Sequence, residues 1–473
     1  MNTEFSTSFD VNVNQLNQLL NIDKSFDLIY RVLEISEKKM CFYFIDGLAR
    51  DEIMQKLLES FGNIEPSNFP SSAYEFSKKC IPYGEVDIIK DRNAFLKSLL
   101  SGVPCLVIDG YDEILAIDFR TYPARSVSEP EKDKAMRGSK DGFVETLVFN
   151  CALIRRRIRD PRLITEIFTV GEISRTDVVL CYLNNRVDPK ILKEISGRIK
   201  NIKIDSLTMN QESLAECLFQ HKWINPFPKF KYTERPDAAA ASILEGNIVV
   251  LVDNSPSAMI LPTSVFDIIE DADDYYFPPI TGTYLRFSRF IIDLAALFLT
   301  PTFLLLMQNQ QWIPDWLSFI IIKDTINIPI LLQLLILEFS IDGLRLASLN
   351  TPSMLSTPLS VVAGIVLGDF TVSSGWFNAE IMLYMAFVAV ANYTQSNFEL
   401  GYALKFMRLI TLILTGIFNV YGFIIGIAIT IFSIIGNKTI SGHSYIYPLL
   451  PLNARQLFRR FFRISLPASE KKL

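Results

Sequence analysis

Histidine is almost absent from this chain, which has only His221 and His443 among its 473 residues. Two imidazoles so far apart in the sequence do not supply an ordinary zinc site. The sequence also contains no HExxH, GxSxG, P-loop or GxGxxG motif. The usual signatures of metalloproteases, serine hydrolases and nucleotide-binding enzymes are therefore missing. These absences predict a protein that is not an enzyme and that needs no cofactor.

Cysteine is sparse as well, and none of it has the spacing of a metal or redox motif. All six cysteines lie before residue 218, with no CxxC pair. Unpaired thiols of this kind are typical of a reduced, cytosolic compartment. The first 30 residues lack an apolar run that could act as a signal peptide. We therefore expect the N-terminal part of the chain to stay in the cytosol.

Charge and hydropathy divide the chain into two unlike parts. The whole sequence is 49% apolar, with a mean hydropathy of +0.26 and a net charge of −5. Residues 286–473 carry 13 Lys/Arg and 9 Asp/Glu, which leaves the first 285 residues at −9. An acidic front part argues against nucleic acid as its main partner. The excess of apolar residues in the back part predicts a membrane domain.

The front part reads as two similar α/β subdomains, residues 26–125 and 165–285, after a mobile Asn/Ser/Thr-rich tail at 1–25. A strand and a following helix are predicted in each subdomain, and a strand hairpin recurs as well. GVPCLVIDGYDEILAID, from Gly102, aligns without gaps on GNIVVLVDNSPSAMILP, from Gly246. The recurrence indicates a duplication, and a generic strand and turn pattern is the alternative.

Between the two subdomains lies a basic linker, residues 126–164, in which five arginines fall within eight residues. One interpretation is that the cluster binds anionic lipid headgroups or a carboxylate-rich surface of a neighbouring subunit. The other is a solvated helix face that ends at Pro161. The candidate contact residues are Arg155, Arg156, Arg157 and Arg159.

The back part predicts an all-α polytopic membrane domain over residues 286–437, followed by a basic cytosolic tail at 438–473. Apolar runs occur at residues 290–307, 317–337, 358–367, 381–390 and 409–435. Loops that carry Arg345, Lys405 and Arg408 should lie inside, as should the tail. Both termini inside require an even number of crossings. Four crossings with one broken or re-entrant segment fit, and six with a tight hairpin near Asn419 also fit.

Ionisable residues in the membrane part are the leading functional candidates as a group, because a charge in a membrane segment is costly unless it faces protein or water. Lys323 and Asp324 could equally pair with each other. The group comprises Lys323, Asp324, Glu338, Asp342, Arg345, Asp369, Glu380 and Glu399.

A stripe of small residues gives a more specific hypothesis. These side chains would share one face of a helix, and such a helix can line a pore when several subunits contribute one each. Helix packing, which also favours small residues, is the alternative. The stripe consists of Ser353, Ser356, Ser360, Ala363, Gly364 and Leu367.

Four segments together resemble the A-subunit family of bacterial spore germination receptors, the GerA type, over about residues 30–465. They are ARSVSEPEKDKAMRGSKDGFVETLVFNCALIRRRIRDPRL, GEISRTDVVLCYL, YTERPDAAAASILEGNIVVLVDNSPSAMILPTSVF and GTYLRFSRF. RGSKDGF stands where many receptor subunits have RGPK followed by Gly-Phe. With TERPD and GTYLRF, this is most similar to the SpoVAF branch.

The resemblance implies a multi-pass protein of the spore inner membrane with a two-subdomain cytosolic head. It further implies a homo-oligomer, as a pentamer, that forms a cation channel and amplifies germination with a small membrane partner. A non-conducting germinant receptor subunit or signalling scaffold is the alternative. A transporter is disfavoured, because the membrane part shows no inverted repeat.

Overall fold

The computed structural model describes residues 4–82, 84–122, 138–219, 225–350, 364, 370–395, 397–437, 439 and 444–464. The chain divides into two compact units. The head unit comprises Met1–His221 and Phe230–Pro262, and the helical unit comprises Lys222–Lys229 and Thr263–Leu473.

The head unit contains two repeats with the same order of elements. The first repeat consists of α1 (Phe9–Leu20), β1 (Leu28–Ile35), β2 (Lys38–Ile45), α2 (Asp51–Gly62), α3 (Ala73–Lys79), β3 (Glu85–Ile89), α4 (Arg92–Leu100), β4 (Cys105–Ile108) and β5 (Ile114–Asp118). The second consists of α5 (Leu147–Arg157), β6 (Leu163–Val170), β7 (Thr176–Leu183), α6 (Pro189–Lys200), α7 (Asn210–Leu218), β8 (Lys231–Thr233), α8 (Pro236–Leu244), β9 (Ile248–Val252) and β10 (Ala258–Leu261).

Each repeat forms a five-stranded antiparallel sheet with the same strand order. The orders are β1-β2-β4-β5-β3 and β6-β7-β9-β10-β8. The predicted hairpins are β4–β5 and β9–β10, and each is preceded by a glycine at positive φ, Gly102 (93°) and Gly246 (101°). This conformation suits glycine because it has no Cβ. The predicted pair of similar subdomains is confirmed.

The first helix of each repeat contains a buried asparagine whose side chain forms the same two hydrogen bonds with the preceding backbone. Asn12 in α1 accepts a hydrogen bond from the Ser6 N–H (2.9 Å) and donates one to the Ser6 carbonyl (2.5 Å). Asn150 in α5 makes the same two bonds with Val144, at 2.8 and 2.5 Å. Both asparagines are buried. Because the same side-chain hydrogen bonds occur at equivalent positions of both repeats, duplication is favoured over a generic strand and turn pattern.

The structure corrects two predicted boundaries. Residues 4–25 do not form the predicted mobile tail, because α1 buries Phe9, Val13, Leu16 and Leu20 against the first sheet. These residues recur on one face of the helix, and the many asparagines between them obscured the pattern. The basic linker also contains α5, whose apolar face belongs to the core of the second repeat.

The helical unit begins with two short helices, after which longer ones follow. They are α9 (Val265–Ile269), α10 (Asp273–Tyr276), α11 (Pro279–Gln308), α12 (Ile330–Asn350), α13 (Thr371–Ser373), α14 (Ala379–Tyr393), α15 (Phe398–Gly436) and α16 (Ala454–Phe461). Two of these, α11 and α15, are long and apolar enough to cross a membrane.

Helix α15 is a hairpin of two arms that reverses at Asn419, whose φ of 53° and ψ of −127° are not helical. A Cβ added to Gly422 would overlap the Leu414 carbonyl, and one on Gly426 would lie 2.7 Å from the Thr411 Cα. Residues this far apart in sequence meet only because the chain doubles back, with backbones in close contact. The tight hairpin near Asn419 considered from the sequence is therefore present.

Helices α12 and α14 start side by side. Gln333 donates to the Asn378 side chain at 2.9 Å and accepts from the Asn378 N–H at 2.9 Å. The predicted apolar run at 317–337 is not a single helix: short 3-10 turns and irregular chain extend to Pro329 before α12 begins at Ile330. Proline lacks the N–H that a continuous helix needs there.

Candidate functional site: a buried ionic network in the helical unit

Two cations and two carboxylates meet inside the helical unit. Arg408 on α15 is fully buried, and its Nε and Nη2 lie 2.8 and 2.6 Å from one oxygen of Glu338 on α12. Lys405 lies 3.4 Å from the other Glu338 oxygen and also contacts Asp342. Arg408 further donates to the Ala296 carbonyl on α11. The four charged residues, which we call the ionic network, thus connect three helices.

Helical spacing places these charges on facing sides of two helices. Glu338 and Asp342 are four residues apart on α12, and Lys405 and Arg408 are three apart on α15. Residues at these spacings lie on one face, one turn apart. The network is internally neutral, with two charges of each sign.

Burial makes the network sensitive to the loss of Glu338, Lys405 or Arg408, whereas Asp342 is partly exposed. Moving isolated charges out of water is expensive, and pairing offsets that cost only when hydrogen bonds are well formed. Removal of one partner leaves an uncompensated charge, which typically destabilises a protein by about 3–5 kcal/mol. Charges inside apolar helices are rare and mark functional positions in membrane proteins.

A further carboxylate, Asp293 on α11, is buried near α14. One of its oxygens accepts a hydrogen bond from the Gln395 side chain, which also donates to the Ala391 carbonyl at 3.3 Å. Among the described residues, the other oxygen has no hydrogen-bond partner. An unsatisfied buried carboxylate oxygen can accept a proton, a water molecule or a cation.

Arg345, one turn beyond Asp342, lies within a group of aromatic rings. Its guanidinium carbon is 5.8 Å from the ring centre of Tyr393 and 5.0 Å from those of Phe398 and Tyr402. Contacts at this distance are favourable cation–π interactions. A cavity of about 20 Å³ adjoins these residues, which is room for about one water molecule.

A second cluster of charges surrounds the start of α11. Arg286 contacts Glu270 and lies 3.3 Å from Asp274, while Arg289 is 2.6 Å from the other oxygen of Asp274. Burial raises the pKa of the Asp274 carboxyl, and the two arginines oppose that rise. Gly282 allows this approach, since a Cβ there would overlap the Asp274 carbonyl.

The pore stripe predicted from the sequence lies almost wholly outside the described residues. Gly364 is described singly, as an exposed helical residue, and its role stays a prediction. Lys323 and Asp324 are exposed in irregular chain before α12, so they are not inside a helix. The stripe and acidic residues outside the described ranges are Ser353, Ser356, Ser360, Ala363, Leu367 and Asp369.

The arginines of the predicted basic contact cluster lie in different environments. Arg155 is fully buried, where it forms an ion pair with Asp27 at 2.8 Å, so its side chain is unavailable to lipid or to another subunit. Arg157 pairs with Asp141. Arg156 and Arg159 are exposed, and their role as contact residues stays a prediction.

Sequence reasoning missed the cationic half of the ionic network. Lys405 and Arg408 were expected in a loop, but both are buried in α15. Their spacing from each other, combined with that of Glu338 and Asp342, was the available signal. Two acidic residues at helical spacing in one apolar segment, and two basic residues at helical spacing in another, indicate two helices that face each other.

Known proteins that are similar to this chain identify the family to which it belongs. The family model for "Bacillus/Clostridium GerA spore germination protein" matches residues 14–473. The chain belongs to the GerA family. Stage V sporulation protein AF of Bacillus subtilis (strain 168) is 33% identical over 94% of this chain and 90% of that protein. Spore germination protein KA of the same organism is 27% identical over 95% of this chain and 84% of that protein.

A solved structure of one GerA-family relative is also similar to part of the chain. It is the crystal structure of the N-terminal domain of the A subunit of the Bacillus megaterium spore germinant receptor GerK3. The identity is 28% and the TM-score 0.43, with 55% of this chain and 96% of that chain covered. The two five-stranded sheets of the head unit and the helices of the helical unit confirm the expected fold class by themselves.

Proposed function

We propose that this GerA-family chain is a subunit of an oligomeric ion channel that acts in bacterial spore germination. It would be a multi-pass protein of the spore inner membrane with a cytosolic head, assembled as a homo-oligomer and working with other germination proteins. Membership of the family supports the role in germination. The long apolar helices α11 and α15 support membrane insertion.

The observation that carries the channel proposal is the ionic network. If the helices served only to anchor the chain in a membrane, apolar residues would do so at a lower free-energy cost than these four charged side chains. Paired charges that connect α11, α12 and α15 can instead hold these helices in one arrangement and release them in another. The stripe from Ser353 to Leu367 remains the predicted pore lining.

The test is ion flux through the purified full-length protein in liposomes. We expect potassium flux from the parent, and altered flux per assembled oligomer from Glu338→Gln, which weakens the attraction to Arg408. Glu216→Gln makes the same chemical change at an exposed position of the head and is the matched control. A correctly inserted oligomer that conducts no ions would favour the alternative, a non-conducting receptor subunit or signalling scaffold.

A further inference from the structure

Helix α16 has an apolar side and a basic side. Leu457 and Phe461 are four residues apart and partly buried, whereas Arg455 and Arg459 lie on the other side of the helix. The Asn453 side chain caps the helix by accepting a hydrogen bond from the Gln456 N–H at 3.2 Å. Segregation of this kind occurs both in helices that pack against a protein surface and in helices that lie in the plane of a membrane surface.

The helix is fixed beside the start of α11. The Phe461 ring centre is 4.8 Å from that of Phe290 and 5.9 Å from that of Phe287. Arg286 donates to the Arg459 carbonyl at 2.9 Å. These contacts hold α16 against the first turns of the apolar part of α11. If α11 crosses a membrane, these turns lie at the level of the lipid headgroups.

Part of the aromatic surface at this point is uncovered. Phe458 stacks on Phe462 with ring centres 4.5 Å apart, and Phe462 lies 5.4 Å from Phe287. Their exposed fractions are 53%, 40% and 38%. We call these three residues the aromatic patch. Contiguous exposed apolar surface marks an interaction site, and aromatic side chains favour the membrane–water interface.

The charges beside the aromatic patch are available for a partner. Within the described residues, neither Arg455 nor Arg459 forms a side-chain ion pair, whereas Arg460 is bound to Asp267 and Glu270. Arginine side chains next to a membrane surface are attracted to anionic lipid headgroups, and the guanidinium can donate to phosphate in a bidentate manner.

We propose that α16 is an in-plane membrane anchor that binds an anionic phospholipid surface. The aromatic patch inserts at the boundary between headgroups and acyl chains, and Arg455 and Arg459 bind phosphate groups. The proposal rests on the proposed function, in that α11 must cross a membrane. It adds a lipid-binding surface and names the lipid class.

The first measurement locates the aromatic patch relative to lipid. The full-length protein with Cys217→Ser is labelled with an environment-sensitive fluorophore at Phe458→Cys, and incorporated into nanodiscs of phosphatidylcholine with phosphatidylglycerol. Lipids with a nitroxide on the acyl chain should quench this label about as strongly as one at Ile291→Cys in α11. A label at Lys190→Cys in the head serves as the reference.

Each outcome has one meaning. An unquenched label at Phe458→Cys, with the Ile291→Cys label quenched, overturns the anchor while the membrane assignment of α11 stands. Both labels unquenched overturn that assignment and the anchor with it. A Phe458→Cys label that neither the nitroxide lipid nor a water-soluble quencher reaches in the same nanodiscs assigns the aromatic patch to a contact with a second copy of the chain, and this also overturns the proposal.

The second measurement tests the charges. The double variant Arg455→Gln with Arg459→Gln should retain less fluorescent phosphatidylglycerol than the parent full-length protein, by roughly tenfold or more. The reason is that each basic residue near a membrane surface contributes to anionic lipid binding. Lys190→Gln with Lys193→Gln removes the same charge from α6 and should leave retention unchanged. Equal effects of the two double variants would overturn specific headgroup binding by α16.

Discussion

Replacing Arg155 by methionine should destabilise the head unit strongly, because Asp27 would remain as a buried charge without a cation. The two Asp27 oxygens accept from Arg155 Nε and Nη2 at 2.8 Å each, and both side chains are almost wholly buried. After the change, Asp27 would keep only the Thr165 hydroxyl from this set of donors. The Leu163 carbonyl would also lose the Arg155 Nη1 donor at 2.9 Å.

The expected loss in the free energy of unfolding follows from the unpaired Asp27 carboxylate. Removal of one partner of a buried pair costs about 3–5 kcal/mol. With a urea slope of about 2 kcal/mol per M, that is a fall in unfolding midpoint of about 2 M. Replacing both partners, in Asp27→Leu with Arg155→Met, removes the unpaired charge and should recover stability to within about 1 kcal/mol of the parent.

Pulse proteolysis of the full-length protein in detergent, across a urea series, measures the unfolding of the head. Arg159→Met is the matched control, since Arg159 is exposed, and its effect should stay below about 0.5 kcal/mol. Two results would refute the reasoning: a loss for Arg155→Met no larger than that of the control, or a double variant whose loss equals the sum of the two single losses.

Three further predictions concern other parts of the chain. Gly426→Leu should separate the arms of the α15 hairpin and lower the yield of assembled oligomer on a sizing column, because the new side chain would meet Thr411; a normal yield would contradict it. Asn12→Ala and Asn150→Ala should each lower stability by about 1–3 kcal/mol in the same urea assay, and unequal losses would argue against equivalent roles. A thiol reagent should modify Cys217 first, because the other five cysteines are buried; prior modification of any of those five would contradict it.

Local patterns in the sequence predicted local structure well. The strand hairpin after Gly102 and its counterpart after Gly246 could be recognised because alternating apolar residues and turn residues encode a hairpin over a short stretch of chain. The gap-free similarity of the two segments also revealed the duplication. Composition was less informative for α1, where asparagines concealed the buried face of the helix.

Pairings between distant residues could not be predicted in this way. Nothing near Arg155 in the sequence indicates that its carboxylate partner is Asp27, and the linker pattern favoured a surface role. Likewise the sequence predicts Arg408 in a loop and Glu338 among the charges of the membrane part, with no indication that the two residues pair. Their pairing depends on the packing of α12 against α15, which a single sequence does not specify.

The sequence by itself determined the two-part organisation, the repeated strand hairpins and the resemblance to the family, because these follow from composition and short-range patterns. Only the tertiary structure decided that Arg155 is buried, that α15 reverses at Asn419, and that Lys405 and Arg408 face Glu338 and Asp342. The physical reason is that a charge is stabilised by whichever partner the fold brings within hydrogen-bond distance, and that partner can lie anywhere along the chain.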